Sequence, residues 1–165
     1  MSFLDLIVGP NGAGKTTLFE RAIATTRPGL PFVNADRIAA DRFGPDAEAR
    51  SYEAAEIAAR TRTALIDARI DFCAETVFSH SSKVEFVTGA VAAGYHVTVH
   101  VVMVPLDLSM RRVLARVAAG GHSVPEDKVR SRYARIWSHV AATVTTADQT
   151  IFWDNSTPDG PLRIA

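Results

Sequence analysis

Cysteine and net charge are the scarcest features of this sequence, and each scarcity removes a class of protein. Cys73 is the only cysteine among 165 residues, so no intrachain disulfide can staple the chain and a reducing compartment is expected. Eighteen Lys and Arg balance eighteen Asp and Glu. That leaves no overall field to attract nucleic acid or an anionic membrane, and neither is expected as a partner. No apolar run approaches the roughly eighteen residues needed to span a bilayer. Residues 3–8 are apolar but lack a basic flank and a small-residue cleavage pattern, so they are not expected to form a signal peptide. Internal repeats, low-complexity tracts and linkers are also missing. What is present is ordinary globular composition, 47% apolar and 22% charged, enough for one core. A single cytoplasmic domain over residues 1–165 is the expectation.

Strand-like and helix-like segments alternate along the chain. Residues 3–8 read as a strand, broken by Gly9-Pro10, and 16–25 as a helix. A short strand at 32–34 precedes a helix at 36–43. A long alanine- and charge-rich helix follows at 49–69, with Tyr52, Ala55, Ala59 and Ile66 at helical spacing. Residues 71–76 form the third strand, 82–93 a helix, and 96–104 a β-branched run of the kind covered on both faces. Helices at 106–119 and from Pro125 to about 145 follow, then a fifth strand at 150–153 and a short terminal one at 162–165. The expected fold is a three-layer α/β/α sandwich on a mostly parallel, five-stranded sheet.

Gly9-Pro10-Asn11-Gly12-Ala13-Gly14-Lys15-Thr16 satisfies G-x-x-x-x-G-K-[ST] in full, between a strand and a helix as the mechanism requires. Glycines let successive backbone N–H groups turn around phosphate oxygens, and the following helix adds its positive end. Lys15 is placed to neutralise the β and γ phosphates, and the Thr16 hydroxyl to hold Mg²⁺. The guanine-reading N-K-x-D string is absent, since the asparagines are Asn11, Asn34 and Asn155. Asp107 lies past Pro105 and reads as a helix N-terminal carboxylate rather than a strand-end metal ligand.

Two acids end strands beside the phosphate loop. Asp36 follows the second strand and Glu75 closes the third, so a parallel sheet carries both to one rim. Asp36 is either a chemical group or the cap of its helix. Glu75 follows Phe72-Cys73-Ala74, where an unpaired carboxylate is costly, so it is functional or ion-paired. Cys73 itself reads as core filler. Residues 111–135 carry seven Lys and Arg against two acids, either a solvated face or a lid over transferring phosphate. At least one arginine of this stretch, with Arg112 and Arg116 as candidates, is expected to touch nucleotide, in a lid at about 111–132. Gly120-Gly121 fits a flexible joint or a helix C-cap equally. Tyr133, Trp137, Val140 and Val144 read as core.

Taken in order, G-P-N-G-A-G-K-T-T, F-V-N-A-D-R-I, F-C-A-E-T, V-V-M-V-P, G-G-H-S-V-P-E-D-K-V-R-S-R-Y and D-N-S resemble the zeta-toxin family of P-loop kinases over essentially the whole chain. The resemblance implies a central P-loop strand and ATP or GTP as phosphoryl donor with Mg²⁺, held by residues 9–16 and Thr17. It implies that Asp36 is the base for an acceptor hydroxyl and that Glu75 and Thr76 lie at the acceptor. Arg116 becomes the lid arginine, and Asn155 and Ser156 line the adenine site. Zeta toxins are known for phosphorylating UDP-N-acetylglucosamine. Here their second lid arginine is replaced by His122, which the resemblance puts at the acceptor, and their substrate-binding glutamate falls near Arg62-Thr63, where there is no acid. A kinase acting on a hydroxyl of a small metabolite leads; an antibiotic-detoxifying phosphotransferase and a non-catalytic nucleotide-binding module are the alternatives. An antitoxin is a further partner that the family suggests and no residue of the sequence specifies.

Overall fold

The computed structural model describes residues 1–121 and 123–165. One six-stranded sheet organises them: β1 (Ser2–Val8), β2 (Phe32–Val33), β3 (Phe72–Thr76), β4 (Tyr95–Met103), β5 (Gln149–Asp154) and β6 (Leu162–Arg163). The order β2-β3-β1-β4-β5-β6 puts β1 between β3 and β4. Every pairing is parallel except β5 with β6. The expected five strands are therefore six, because residues 162–163 fold back antiparallel onto Trp153 and Asp154. Two residues are too few for alternation to reveal a strand. Leu4, Leu6 and Val8 of β1 and Val97, Val99 and Val101 of β4 are fully buried, as parallel strands covered on both faces must be.

The two faces carry separate cores. On one, the sheet meets α3 (Ala35–Phe43), α4 (Ser51–Asp67), α5 (Ser82–Ala92) and α7 (Glu126–Val144) through Ile38, Ala58, Val87, Ala90, Ile136 and Val140. On the other, Ile7, Cys73 and Val102 pack against α1 (Lys15–Leu18), a π-helical turn at Phe19–Ile23 and α6 (Leu106–Ala118). A short α2 (Ala24–Thr26) completes the segment expected as one helix. The π turn was invisible to periodicity because Leu18, Phe19 and Ile23 stay buried through it. Phe19 stacks on Phe32 with centroids 3.8 Å apart.

Two packing expectations are corrected. In α4 the buried stripe is Ala54, Ala58 and Arg62, one residue out of phase with the expected one, and Tyr52 is 79% exposed. Alanines on several faces of α4 give too little contrast to fix its rotation. Val144, at the end of α7, is exposed, whereas Val140 is buried. Cys73 is fully buried as expected, and burial pushes its thiol far above the usual range.

The α1 side of the sheet also holds a polar network. The indole N–H of Trp153 donates to His100 Nδ1 at 3.2 Å, so Nε2 carries the ring proton and donates to Asp5 Oδ1 at 2.9 Å. Arg27 ion-pairs with Asp5. Burial, reinforced by Arg27 and Arg163, pushes the His100 pKa down to about 4. Among the described residues no helix is long and apolar enough to cross a membrane.

Candidate active site at the phosphate loop

The loop between β1 and α1 is braced through its carbonyls. Ser109 of α6, fully buried, donates to the Asn11 carbonyl at 2.6 Å. The Asn155 amide donates to the Ala13 carbonyl at 2.7 Å, and Arg112 approaches the Gly12 carbonyl at 3.5 Å. In a trans peptide the next N–H points away from each carbonyl, so the N–H groups of Gly12 and Gly14 face the opposite side, at the start of α1. Gly14 has φ +88°, and a Cβ there would run into the Asn155 amide. No side chain but hydrogen fits that position. Gly9 and Pro10 are buried, and Thr17 is half-buried in the first turn of α1.

Four polar side chains converge behind the loop. Thr16 donates to Glu75 Oε2 at 2.7 Å, and Asn34 donates to the same oxygen at 2.8 Å. Lys15 Nζ lies 3.8 Å from Glu75 Oε1 and donates to the Pro10 carbonyl at 3.0 Å. Burial pulls the Lys15 pKa below the usual lysine value; Glu75 and then Asp36 oppose that shift, while Arg116 and Arg132 add to it. Asp36, Glu75, Arg116 and Arg132 thus all lie within electrostatic reach of one ammonium group. The Thr16 hydroxyl and the Glu75 carboxylate are hard oxygen donors of the type Mg²⁺ takes, alongside water and phosphate oxygens. Among the described residues no cluster of three or more His, Cys, Asp or Glu suited to a metal occurs.

Asn34 also settles what Asp36 is not. Its side-chain oxygen accepts from the Asp36 N–H at 2.7 Å and the Arg37 N–H at 3.1 Å, so Asn34 is the cap of α3. Asp36 sits one residue inside the helix and is exposed, its carboxylate free of capping duty. Sequence reasoning assigned Asn34 no role, although an asparagine directly before an apolar-periodic segment is a helix-start signal. Ser109 was missed too, because one small polar residue in an amphipathic helix carries no signature.

Arg116 occupies the last turn of α6 and Arg132 is half-buried in α7. The helix end at Gly120-Gly121 is a C-cap, with the Gly120 N–H on the Val117 carbonyl and the Gly121 N–H on the Arg116 carbonyl, both at 2.9 Å. His122, expected at the acceptor, lies outside the described residues. Asn155 is buried under the loop, and Ser156 uses its hydroxyl and N–H on Asp154. Thr76 is half-buried at the rim, its hydroxyl 3.4 Å from the Phe78 N–H. Phe78 itself holds φ +67° while fully buried, strain of the kind found at functional rims.

A parallel sheet with a phosphate loop after its central strand, acids on the same rim and an arginine-bearing helix pair beside it defines the P-loop kinase fold. The family model for zeta toxin matches residues 3–157, and the chain belongs to that family. No curated protein matches the sequence. Among solved structures, the AvrRxo1-ORF1–AvrRxo1-ORF2 complex with sulphate ions is similar at TM-score 0.77 and 17% identity over 100% of this chain. The same complex with ATP gives 0.74. This chain spans 58% of the length of that chain. A structure from the PezAT toxin–antitoxin system of Streptococcus pneumoniae gives 0.72 and 13%, covering 98% of this chain and 70% of that one. Shikimate kinase from Acinetobacter baumannii, in complex with shikimate, gives 0.55 and 22%, covering 92% and 83%. At these identities the likeness is one of fold.

Proposed function

We propose that the protein is a Mg-ATP-dependent kinase that phosphorylates a hydroxyl of a small-molecule acceptor. The observation that carries this reading is the cluster in which Glu75 accepts from Thr16 and faces Lys15, with Asp36 in electrostatic reach of the same ammonium. A module that only binds nucleotide uses Lys15, Thr16 and the Glu75 carboxylate but gains nothing from an exposed Asp36 on the same rim.

Residues 9–16 with Thr17 hold the phosphates, Lys15 neutralises them, and Thr16 with Glu75 holds Mg²⁺. The bound Mg-ATP supplies the transferable phosphoryl group, and GTP fits the same phosphate contacts. Asp36 accepts the acceptor proton, because an exposed carboxylate on the rim can meet a hydroxyl aligned with the γ-phosphate. Arg116, assisted by Arg112, stabilises charge on the transferring group. Asn155 fixes the loop that carries the phosphates, and Ser156, next to it, lies where the base enters. Glu75 and Thr76 border the acceptor. An antitoxin protein is the partner in keeping with the family and with the PezAT system.

ADP release and ³¹P NMR with a panel of hydroxylated acceptors test the reading. Acceptor-dependent ADP release, lost in Lys15→Ala while its fold is retained, is expected. Tight Mg-ATP binding with no transfer to any acceptor class, hydroxylated antibiotics included, would favour a binding module.

A further inference from the structure

Lys15 and Glu75 carry opposite charges in a place nearly shut off from water, their side chains 7% and 12% exposed, yet they do not touch. Nζ stands 3.8 Å from Oε1, well beyond the roughly 2.7–2.9 Å of a charge-assisted hydrogen bond. Attraction between opposite charges strengthens as water is excluded. Something therefore holds this pair apart.

The restraint acts on the other carboxylate oxygen. Oε2 accepts from Thr16 at 2.7 Å and from Asn34 at 2.8 Å. Thr16 is the chain neighbour of Lys15 on α1, so its bond alone gives the carboxylate an anchor on the lysine's own helix. Asn34 anchors it from the β2 side. Sheet register puts Asn34 there: Val33 pairs with Ala74 in the parallel β2–β3 ladder, and the next residues along the two chains are Asn34 and Glu75. Asn34 is itself held, 5% exposed, with its side-chain oxygen taking the N–H groups of Asp36 and Arg37. Its amide has a fixed aim, so little further order is lost in keeping the bond. Lys15 meanwhile gives one of its three ammonium donors to the Pro10 carbonyl.

We propose that Asn34 is a positioning residue that holds the Glu75 carboxylate back from Lys15, keeping the ammonium available for nucleotide phosphate. The inference rests on the kinase reading, which takes Lys15 as the phosphate-binding group, and deepens it by naming what keeps that group available. Without the Asn34 amide, Oε2 keeps only the Thr16 bond, and the carboxylate can turn and close on the ammonium. A phosphate would then have to displace a buried charged partner before it could bind.

Calorimetric titration with ATP in EDTA, where no metal calls on Glu75, tests this in a double-mutant cycle. Asn34→Ser keeps the helix cap, since serine caps as well as asparagine, but its side chain is too short to reach Glu75. It is expected to weaken ATP about tenfold, and to cost nothing once Glu75→Gln has removed the charge. An equal loss in both backgrounds marks a merely structural residue; that result, or no loss in either, would overturn the proposal and leave the kinase reading intact. ATP that fails to bind the wild type would strike the kinase reading and the proposal with it. A second measurement needs no variant to fold. Lys15 shares the chain with only two other lysines, Lys83 and Lys128, so NMR can read a coupling across a hydrogen bond from its ¹⁵Nζ to the Glu75 side-chain carboxyl carbon. None is expected in the wild type, and one is expected in Asn34→Ser. A coupling already present in the wild type would overturn the proposal.

Discussion

Replacing Asn34 tests the site architecture most directly, because one amide caps α3 and holds Glu75. Asn34→Ala removes a helix cap worth about 0.5–2 kcal/mol and a hydrogen bond to a carboxylate worth about 1.5–3 kcal/mol. Both losses share one side chain and do not add in full, so a net cost of about 2–4 kcal/mol is expected. In a chain of this length that lowers Tm by roughly 5–12 °C. Asn34→Asp separates the two functions, since aspartate caps as well as asparagine but sets a second carboxylate where the amide stood 2.8 Å from Glu75. The pair then shares a proton in the folded state, with a pKa above that of either acid in the unfolded chain. Stability of this variant is therefore retained at low pH and lost as pH rises through the pair's folded pKa. Melting by circular dichroism at pH 5 and pH 8 checks it. An Asn34→Asp protein as stable as wild type at both pH values would refute the hydrogen bond to Glu75 and its part in the site.

Asp36→Asn should cut phosphoryl transfer by about 10²–10⁴, read in single-turnover assays, with ATP affinity and Tm nearly unchanged because Asn34 supplies the cap; normal turnover would remove Asp36 as base. Arg116→Ala should lower kcat far more than it raises KM for ATP, and the reverse pattern would make it a binding residue. His100, held near pKa 4 against about 6.5 unfolded, contributes stability that is complete above pH 6.5 and lost as pH falls toward 4. That loss is about 3 kcal/mol. His100→Gln keeps a donor for Asp5 and an acceptor for Trp153 without a titrating ring, so its stability should fall less over that window. Parallel pH profiles for the two proteins would contradict the assignment.

The phosphate loop and the alternation of strands and helices were legible because each depends on local chemistry: glycine spacing, a lysine, apolar periodicity. The meeting of Glu75 with Thr16 was legible only as a shared rim, since 59 residues separate them and parallel pairing alone brings them together. The Asn34 cap was readable locally from its place before α3, but its bond to Glu75 and that of Ser109 to the Asn11 carbonyl were not, because those partners are distant in sequence. The rotation of α4, and with it the burial of Arg62, was misread because alanine-rich faces look alike. The Asp5–His100–Trp153 network gave no signal, its members lying on three strands that only the sheet order makes neighbours.

Ser109, Arg112 and Arg116 recur every three or four residues along α6, on one face of a single helix. The first is bonded to the backbone of the phosphate loop, and the last carries a guanidinium within electrostatic reach of Lys15. The helix works as a gauge block, spacing the two by the rise of seven residues, roughly 10 Å. That spacing is independent of the segment joining α6 to α7. Changes in length at 120–125 therefore leave Arg116 in register with the phosphate loop.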